Sequence, residues 1–130
     1  MNLKSLNKKK REGFTLIEMV MVVVIIGVLS STAMMKYGDV QTNAKIKADC
    51  ATASTIATAT TMAISEGKVK DGSTNIMNIL VNNNYLQSAS QSNKTGLDFI
   101  VHVKNGNTIT VTSGNDTFYP KYIENSTNQN

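Results

Sequence analysis

The sequence is poor in the residues that usually stabilise a small extracellular or catalytic domain. It has no tryptophan, one proline, one cysteine, one histidine, three phenylalanines and four tyrosines in 130 residues. A single cysteine, Cys50, excludes an intrachain disulfide, and its placement suits a small helix residue facing a core. One histidine, His102, with no cysteine or histidine near it, excludes the usual zinc spacings, and no phosphate-binding glycine loop is present. His102 alternates with the apolar positions of its segment, which makes it an exposed surface residue. Asp98, Asp116 and Glu124 lack the spacing of a calcium loop, so no metal and no cofactor is expected. With few aromatics the core must be modest, and a core of that size is marginal on its own. No catalytic set is present, which argues against an enzyme.

Charge is the next constraint. The formal net charge is +4, but it is concentrated at the start of the chain, where Lys4, Lys8, Lys9, Lys10 and Arg11 face one acid, Glu12. Those residues account for five of thirteen basic groups and one of nine acids, leaving eight of each in the remainder. The basic cluster therefore reads as a membrane-orientation signal, positive side inside, and gives no firm sign of nucleic-acid binding. Lys45 and Lys47 lie on a helix with Asp49 close by, which reads as a solvated face.

What the chain does contain is a long apolar run. Residues 14–35 are dense in Val, Ile, Leu and Met, and about 20 such residues cross a bilayer. One carboxylate, Glu18, stands near the start. An ionised group inside a membrane helix costs about 2.5–3.5 kcal/mol on insertion scales, so it calls for a partner or a role.

The junction Arg11-Glu12-Gly13-Phe14-Thr15-Leu16-Ile17-Glu18 resembles the leader junction of the type IV pilin and type II secretion pseudopilin superfamily. The resemblance covers residues 8–39, where Tyr37 and Asp39 also match, and is weak beyond. It implies that a prepilin peptidase cuts between Gly13 and Phe14 and that Phe14 becomes N-methylated. It further implies that Glu18 pairs with the terminal amine of Phe14 in a neighbouring subunit of a helical homopolymer. The implied fold is α+β and pilin-like: one long N-terminal helix packed against a small antiparallel sheet. The implied partners are other copies of the chain, the peptidase and methyltransferase, an assembly platform with its ATPase, and the cytoplasmic membrane. The subunit would cross that membrane once and then pass into an extracellular pilus for adhesion, motility or aggregation, most like a major pilin. A pseudopilin of a secretion or DNA-uptake system is the alternative within the family. Many relatives carry a C-terminal disulfide and a helix-breaking proline, and this chain has neither; Met35 occupies the place of the proline. Two readings outside the family use the same residues. Ser31-Thr32-Ala33 fits a signal-peptidase site, and the basic flank fits a plain membrane anchor carrying a binding module.

The rest of the chain divides by pattern. Residues 1–13 are the leader, 14–35 the transmembrane or filament-core helix, 36–66 its amphipathic continuation, 67–123 a small globular head, and 124–130 a disordered polar tail. Ile46, Cys50, Ala53, Ala57, Thr60 or Thr61, and Ile64 recur at helical spacing, beside a second stripe of Ala44, Ala48, Ala51, Thr55, Ala59 and Met62. Gly27 and the following Ser30, Ser31 and Thr32 weaken the helix, so unwinding at residues 27–32 in a filament is a hypothesis. Threonines between 52 and 61 make that stretch dependent on packing, and Gly67 is the stop. Thr74 or Asn75 caps a short helix over 76–81, closed by Asn82-Asn83-Asn84. Segments 97–103 and 107–112 form a hairpin. A three-residue loop, Lys104-Asn105-Gly106, would set Val101 opposite Ile109 and Phe99 opposite Val111. Leu97, Phe99, Val101 and Val103 would then share a face with Ile109 and Val111, covering the Ile46–Ile64 half of the helix. Residues 115–123 supply a third strand, with Pro120 at an edge or bulge. Asn93, Asn115 and Asn125 begin glycosylation-type sequons, which are common by chance in such a composition.

Overall fold

The computed structural model describes residues 13–125; residues 1–12 of the leader and 126–130 of the tail lie outside it. The chain forms α1 (Leu16–Ser65), α2 (Ile76–Asn82), β1 (Ile100–Lys104), β2 (Thr108–Ser113) and β3 (Asp116–Tyr119). It falls into two compact units, one ending at Gly38 and one beginning at Asp39.

The first unit is apolar helix with its side chains in the open. Met19 is 46% exposed and Val23 68%, with the other large residues of the run in or above that range. An 18-residue window reaches a mean hydropathy of 2.3, long and apolar enough to cross a membrane. Residues 27–32 are helical in the single chain. The hydroxyls of Ser30, Ser31 and Thr32 donate to the carbonyls of Ile26, Val28 and Leu29 at 2.7, 2.7 and 2.9 Å, so their polar atoms are satisfied within the helix.

In the second unit α1 buries Asp49, Ala53, Ile56, Ala57, Ala59, Thr60 and Ala63. The buried stripe therefore follows the first of the two stripes, shifted to take in Ile56 and Asp49. The second stripe is exposed apart from Ala59, and Met62 is 58% exposed. Thr52, Thr55, Thr58, Thr60 and Thr61 each donate to the carbonyl four residues earlier. That bonding lets a threonine-rich stretch stay helical while a small-residue face packs. The helix ends in a Schellman arrangement. Gly67, with φ 74°, donates to Ile64 O at 2.9 Å, and Lys68 donates to Ala63 O at 2.9 Å. A left-handed residue is needed there, and glycine adopts it without penalty.

Helix α2 starts after Asn75, whose backbone is left-handed (φ 55°) and whose side chain makes no capping bond. The expected side-chain cap is thus absent, because an N-cap needs an extended backbone to aim its oxygen at the helix amides. At the other end Asn84 (φ 61°) serves as the left-handed stop, with Tyr85 N donating to Leu80 O at 2.9 Å.

The three strands form one antiparallel sheet in the order β1-β2-β3. Val103 faces Ile109, Val101 faces Val111 and Lys104 faces Thr108. The loop has three residues, as the pattern predicts, but they are Asn105, Gly106 and Asn107. The partner of each β1 residue is displaced by two from the expected pairing. The apolar faces survive, because a two-residue change in register keeps every side chain on its side. Backbone conformation chose between the two: Asn105 (φ 54°) and Gly106 (φ 72°) are consecutive left-handed residues, and Asn105 N is held by Asp71 Oδ2 at 3.1 Å. Leu97 departs from expectation more fully. It is 55% exposed, and β1 begins only at Ile100. Its carbonyl accepts from Ser92 N and Ser113 Oγ, so the backbone there belongs to a loop and loses the strand alternation. Strand β3 is shorter than the expected 115–123. After it comes the cis Tyr119-Pro120 bond, and Ile123 returns to bridge Thr117.

The core joins Ala53, Ile56, Ala57, Ala59 and Ala63 of α1 to Val69, Ile76, Leu80, Phe99, Val101, Val103, Ile109, Val111 and Phe118. Alanines on α1 leave room for the two phenylalanines, which meet edge to face at 5.7 Å. Such a pair adds about 0.5–1.5 kcal/mol beyond its buried area.

Candidate functional site

The N-terminal motif takes a definite shape. Gly13, Phe14 and Thr15 precede the helix, and Phe14 is 80% exposed. Thr15 N donates to Glu18 Oε2 at 3.0 Å, and Glu18 N donates to Thr15 Oγ1 at 3.4 Å. This reciprocal pair is a capping box, with Thr15 at the N-cap and Glu18 three residues on. It satisfies two orphan amides at the helix start, and it holds the carboxylate beside the positive end of the helix. The Thr15-x-x-Glu18 spacing carries this information in the sequence, where the resemblance to a leader junction drew attention only to the carboxylate. Gly13, Phe14 and Glu18, the three residues expected to act, are brought together around one hollow with Thr15.

A second constellation lies in the head and is the main feature that sequence reasoning missed. Asp49 is completely buried. Its carboxylate accepts from Ser92 Oγ at 2.6 Å, Asn93 N at 2.8 Å, Asn93 Nδ2 at 3.0 Å and Lys94 N at 2.9 Å. Burial alone would raise its pKa, but these four donors outweigh burial and hold it below the ordinary carboxylate value. The signal was present: Asp49 stands one position before Cys50 on the stripe that also holds Ala53, Ala57 and Thr60. Its neighbours Lys45 and Lys47 suggested a solvated face, and they are indeed exposed, while Asp49 itself points inward. The same loop turns Lys94 to the other side. Lys94 Nζ donates to Asp116 Oδ2 and Glu124 Oε1, both at 2.7 Å, and to Tyr122 OH at 2.5 Å. Burial disfavours the Lys94 charge, yet the Asp116, Glu124 and Tyr122 acceptors raise its pKa strongly. Asp116 and Glu124 therefore do converge, around a lysine; Glu124 belongs to this network although the sequence assigned it to the tail. Asp98 is exposed and bridges Gln91. Among the described residues no group of three or more His, Cys, Asp or Glu side chains could hold a metal.

His102 is exposed, with Thr112 Oγ1 at 3.4 Å from its Nε2. Cys50 is half-buried against the core; burial first and the Asp49 charge second push its thiol pKa up, which makes it a poor nucleophile.

Comparison with known proteins agrees with the N-terminal geometry. Residues 8–34 match the family model described as the prokaryotic N-terminal methylation motif. A curated relative, a probable minor fimbrial protein of Dichelobacter nodosus, is 39% identical over 64 residues, covering 49% of this chain and 40% of that protein. The chain thus spans less than half the length of the relative it matches. No solved structure matches. The methylation motif at residues 8–34 and the fimbrial relative, together with a capped first turn carrying Glu18, an exposed apolar helix and a small antiparallel sheet, support a type IV pilin-like protein.

Proposed function

We propose that this chain is a structural subunit of a type IV pilus filament. A prepilin peptidase cuts the precursor between Gly13 and Phe14, Phe14 is N-methylated, and the subunit waits in the cytoplasmic membrane as a single-pass protein. An assembly platform driven by an ATPase then transfers it into an extracellular homopolymer. The observation that carries the reading is the capped Glu18 at the head of an apolar helix whose side chains are all open to the surroundings. Such a surface requires either lipid or like helices around it. Moving from one to the other keeps the apolar side chains out of water, so extraction from the bilayer is compensated by burial in the filament. In that filament Glu18 receives the methylated amine of Phe14 from a neighbour, an attraction available in only one orientation. Among the described residues the Thr15 amide donates to Glu18 Oε2, and the second carboxylate oxygen, Oε1, is the one we assign to the incoming amine.

The name of the Dichelobacter nodosus relative supports a second reading, in which the chain is a minor subunit of such a filament rather than its bulk component; a pseudopilin role in secretion or DNA uptake belongs to the same class of assembly. Intact mass and N-terminal peptide mapping of material sheared from the native cell surface test the proposal. A chain beginning at N-methylated Phe14 is the expected result, and its abundance in that fraction separates bulk from minor subunit. A soluble chain beginning near Met34 would mean an ordinary signal peptide, and the roles given to Phe14 and Glu18 would fall.

A further inference from the structure

Residues 92–94 form a turn with two working sides. Its backbone and the Ser92 hydroxyl grip Asp49 of α1, and the Lys94 ammonium grips Asp116 at the start of β3 together with Tyr122 and Glu124 beyond β3. Further bonds stiffen the turn: Lys94 N and Thr95 N donate to Ser92 Oγ at 3.2 and 3.1 Å, and Gly96 N donates to Ser92 O at 2.9 Å. Ser92 Oγ is therefore shared between Asp49 and the turn itself. The two sides differ in exposure. Asp49 is fully buried. The Lys94, Asp116 and Glu124 side chains are 17%, 11% and 60% exposed. Beyond β3 the chain is also held by the Thr117–Ile123 bridge, with bonds of 3.0 and 2.9 Å, and by Tyr122, whose ring lies 5.4 Å from Phe118 and 5.2 Å from Lys94 Nζ.

We infer that these groups form an ordered two-stage clasp, in which the Asp49 carboxylate fixes residues 92–94, and only the turn so fixed presents Lys94 to hold residues 120–125 on the head. The order follows from the connections. Lys94 hangs from a turn whose shape depends on Asp49, because two of the backbone amides that shape it terminate on that carboxylate. Asp49 in turn touches nothing that depends on the Lys94 side chain; it uses the Lys94 backbone amide, which survives truncation of the side chain. Opening the outer stage alone frees the end of the sheet and bares the edges of Phe118 and Tyr122. The β1–β2 hairpin keeps its own ladder, in which none of residues 120–125 takes part. The head thus contains a segment that can change its surface without global unfolding, as low-stability units do in other folds. Charge stands here in the place of a covalent tie, and only its Glu124 arm, 60% exposed, is open to screening by salt, while the Lys94–Asp116 pair is largely shielded. This inference does not depend on the filament reading.

Amide hydrogen exchange of the full chain in detergent micelles, read residue by residue by NMR, tests it. Asp49→Asn removes the charge and keeps the shape. Exchange at Asn93 and Lys94 and also at Thr117 and Ile123 should rise by about tenfold or more, the scale of a lost charged hydrogen bond, and stay faster than at Val101 and Val111, which open only with the whole head. Lys94→Met should raise exchange at Thr117 and Ile123 but not at Asn93 and Lys94. Three results would overturn the clasp. Unchanged exchange at Thr117 and Ile123 in Asp49→Asn would mean two independent contacts. Equal loosening of Asn93 and Lys94 by Lys94→Met would remove the order. Exchange at Thr117 and Ile123 as slow as at Val101 and Val111 in Asp49→Asn would mean that the segment opens only with the whole fold.

Discussion

Asp49 offers the sharpest test of how this head is held together. Replacing it with alanine would leave the Ser92 hydroxyl and the amides of Asn93 and Lys94 facing a buried gap. Each buried donor left without a partner costs about 1–3 kcal/mol. Relaxation of the turn toward solvent recovers part of this, and a net loss of about 3–4 kcal/mol is expected for Asp49→Ala. That is a large share of the 5–15 kcal/mol typical of small domains. Asp49→Asn keeps one acceptor and should lose about 2 kcal/mol, the weight of charged over neutral hydrogen bonds. Urea unfolding of the full chain in micelles, followed by near-ultraviolet tyrosine dichroism, measures both. The pH dependence has a definite sign. The folded pKa of Asp49 lies below its ordinary value, so its contribution is fully present above the unfolded pKa of about 3.9. It is lost as pH falls through the folded value. The stability of the Asp49→Asn chain should therefore change less between neutral and strongly acid pH than that of the unaltered chain. Lys45→Ala or Lys47→Ala, on the exposed side of the same helix, should stay within about 0.5 kcal/mol. An Asp49→Ala chain within that same margin, or an Asp49→Asn chain with the full acid dependence, would refute the assignment of Asp49 as a buried, ionised staple.

Two further outcomes follow from the fold. Phe99→Ala should cost about 3–5 kcal/mol, because Phe99 is buried against Phe118, whereas Leu97→Ser should fall within about 0.5 kcal/mol because Leu97 stands largely in the open; equal losses by urea denaturation would return Leu97 to the core. Gly67→Ala should cost about 1 kcal/mol through its left-handed backbone, with open space around it and no steric clash; a loss of several kcal/mol or a gain would mean that the helix does not end there in a Schellman turn.

The hairpin shows where sequence reasoning stops. Alternation of Phe99, Val101 and Val103 with Ile109 and Val111 specifies which side chains face inward, and all five are buried. It cannot distinguish registers that differ by two, since both bury the same set. That choice rested on where two left-handed residues fit, and on the Asp71 bond to Asn105. Leu97 continues the same alternation by spacing, yet the loop that binds its carbonyl carries it out of the sheet. Asn75 reads as a capping residue by type but has a backbone that cannot cap.

Features governed by neighbours along the chain were legible from residue types alone. The long helix and its stop at Gly67 depend on local propensity and a local turn, and the methylation motif depends on residues within one or two turns of each other. The basic cluster before an apolar run likewise needs only order and composition. The capping box of Thr15 and Glu18 was equally local, and the i to i+3 spacing would have revealed it. The Asp49 staple was not legible in that way. Its partners lie 43–45 residues downstream in a polar loop of no distinctive pattern, and two lysines beside it in sequence suggest the opposite environment. A carboxylate is buried only if enough donors reach it, and whether they do is a property of how a distant loop closes. The convergence of Lys94, Asp116, Tyr122 and Glu124 has the same origin: charge and hydrogen-bonding capacity are written in the residues, but the partners are chosen by tertiary structure.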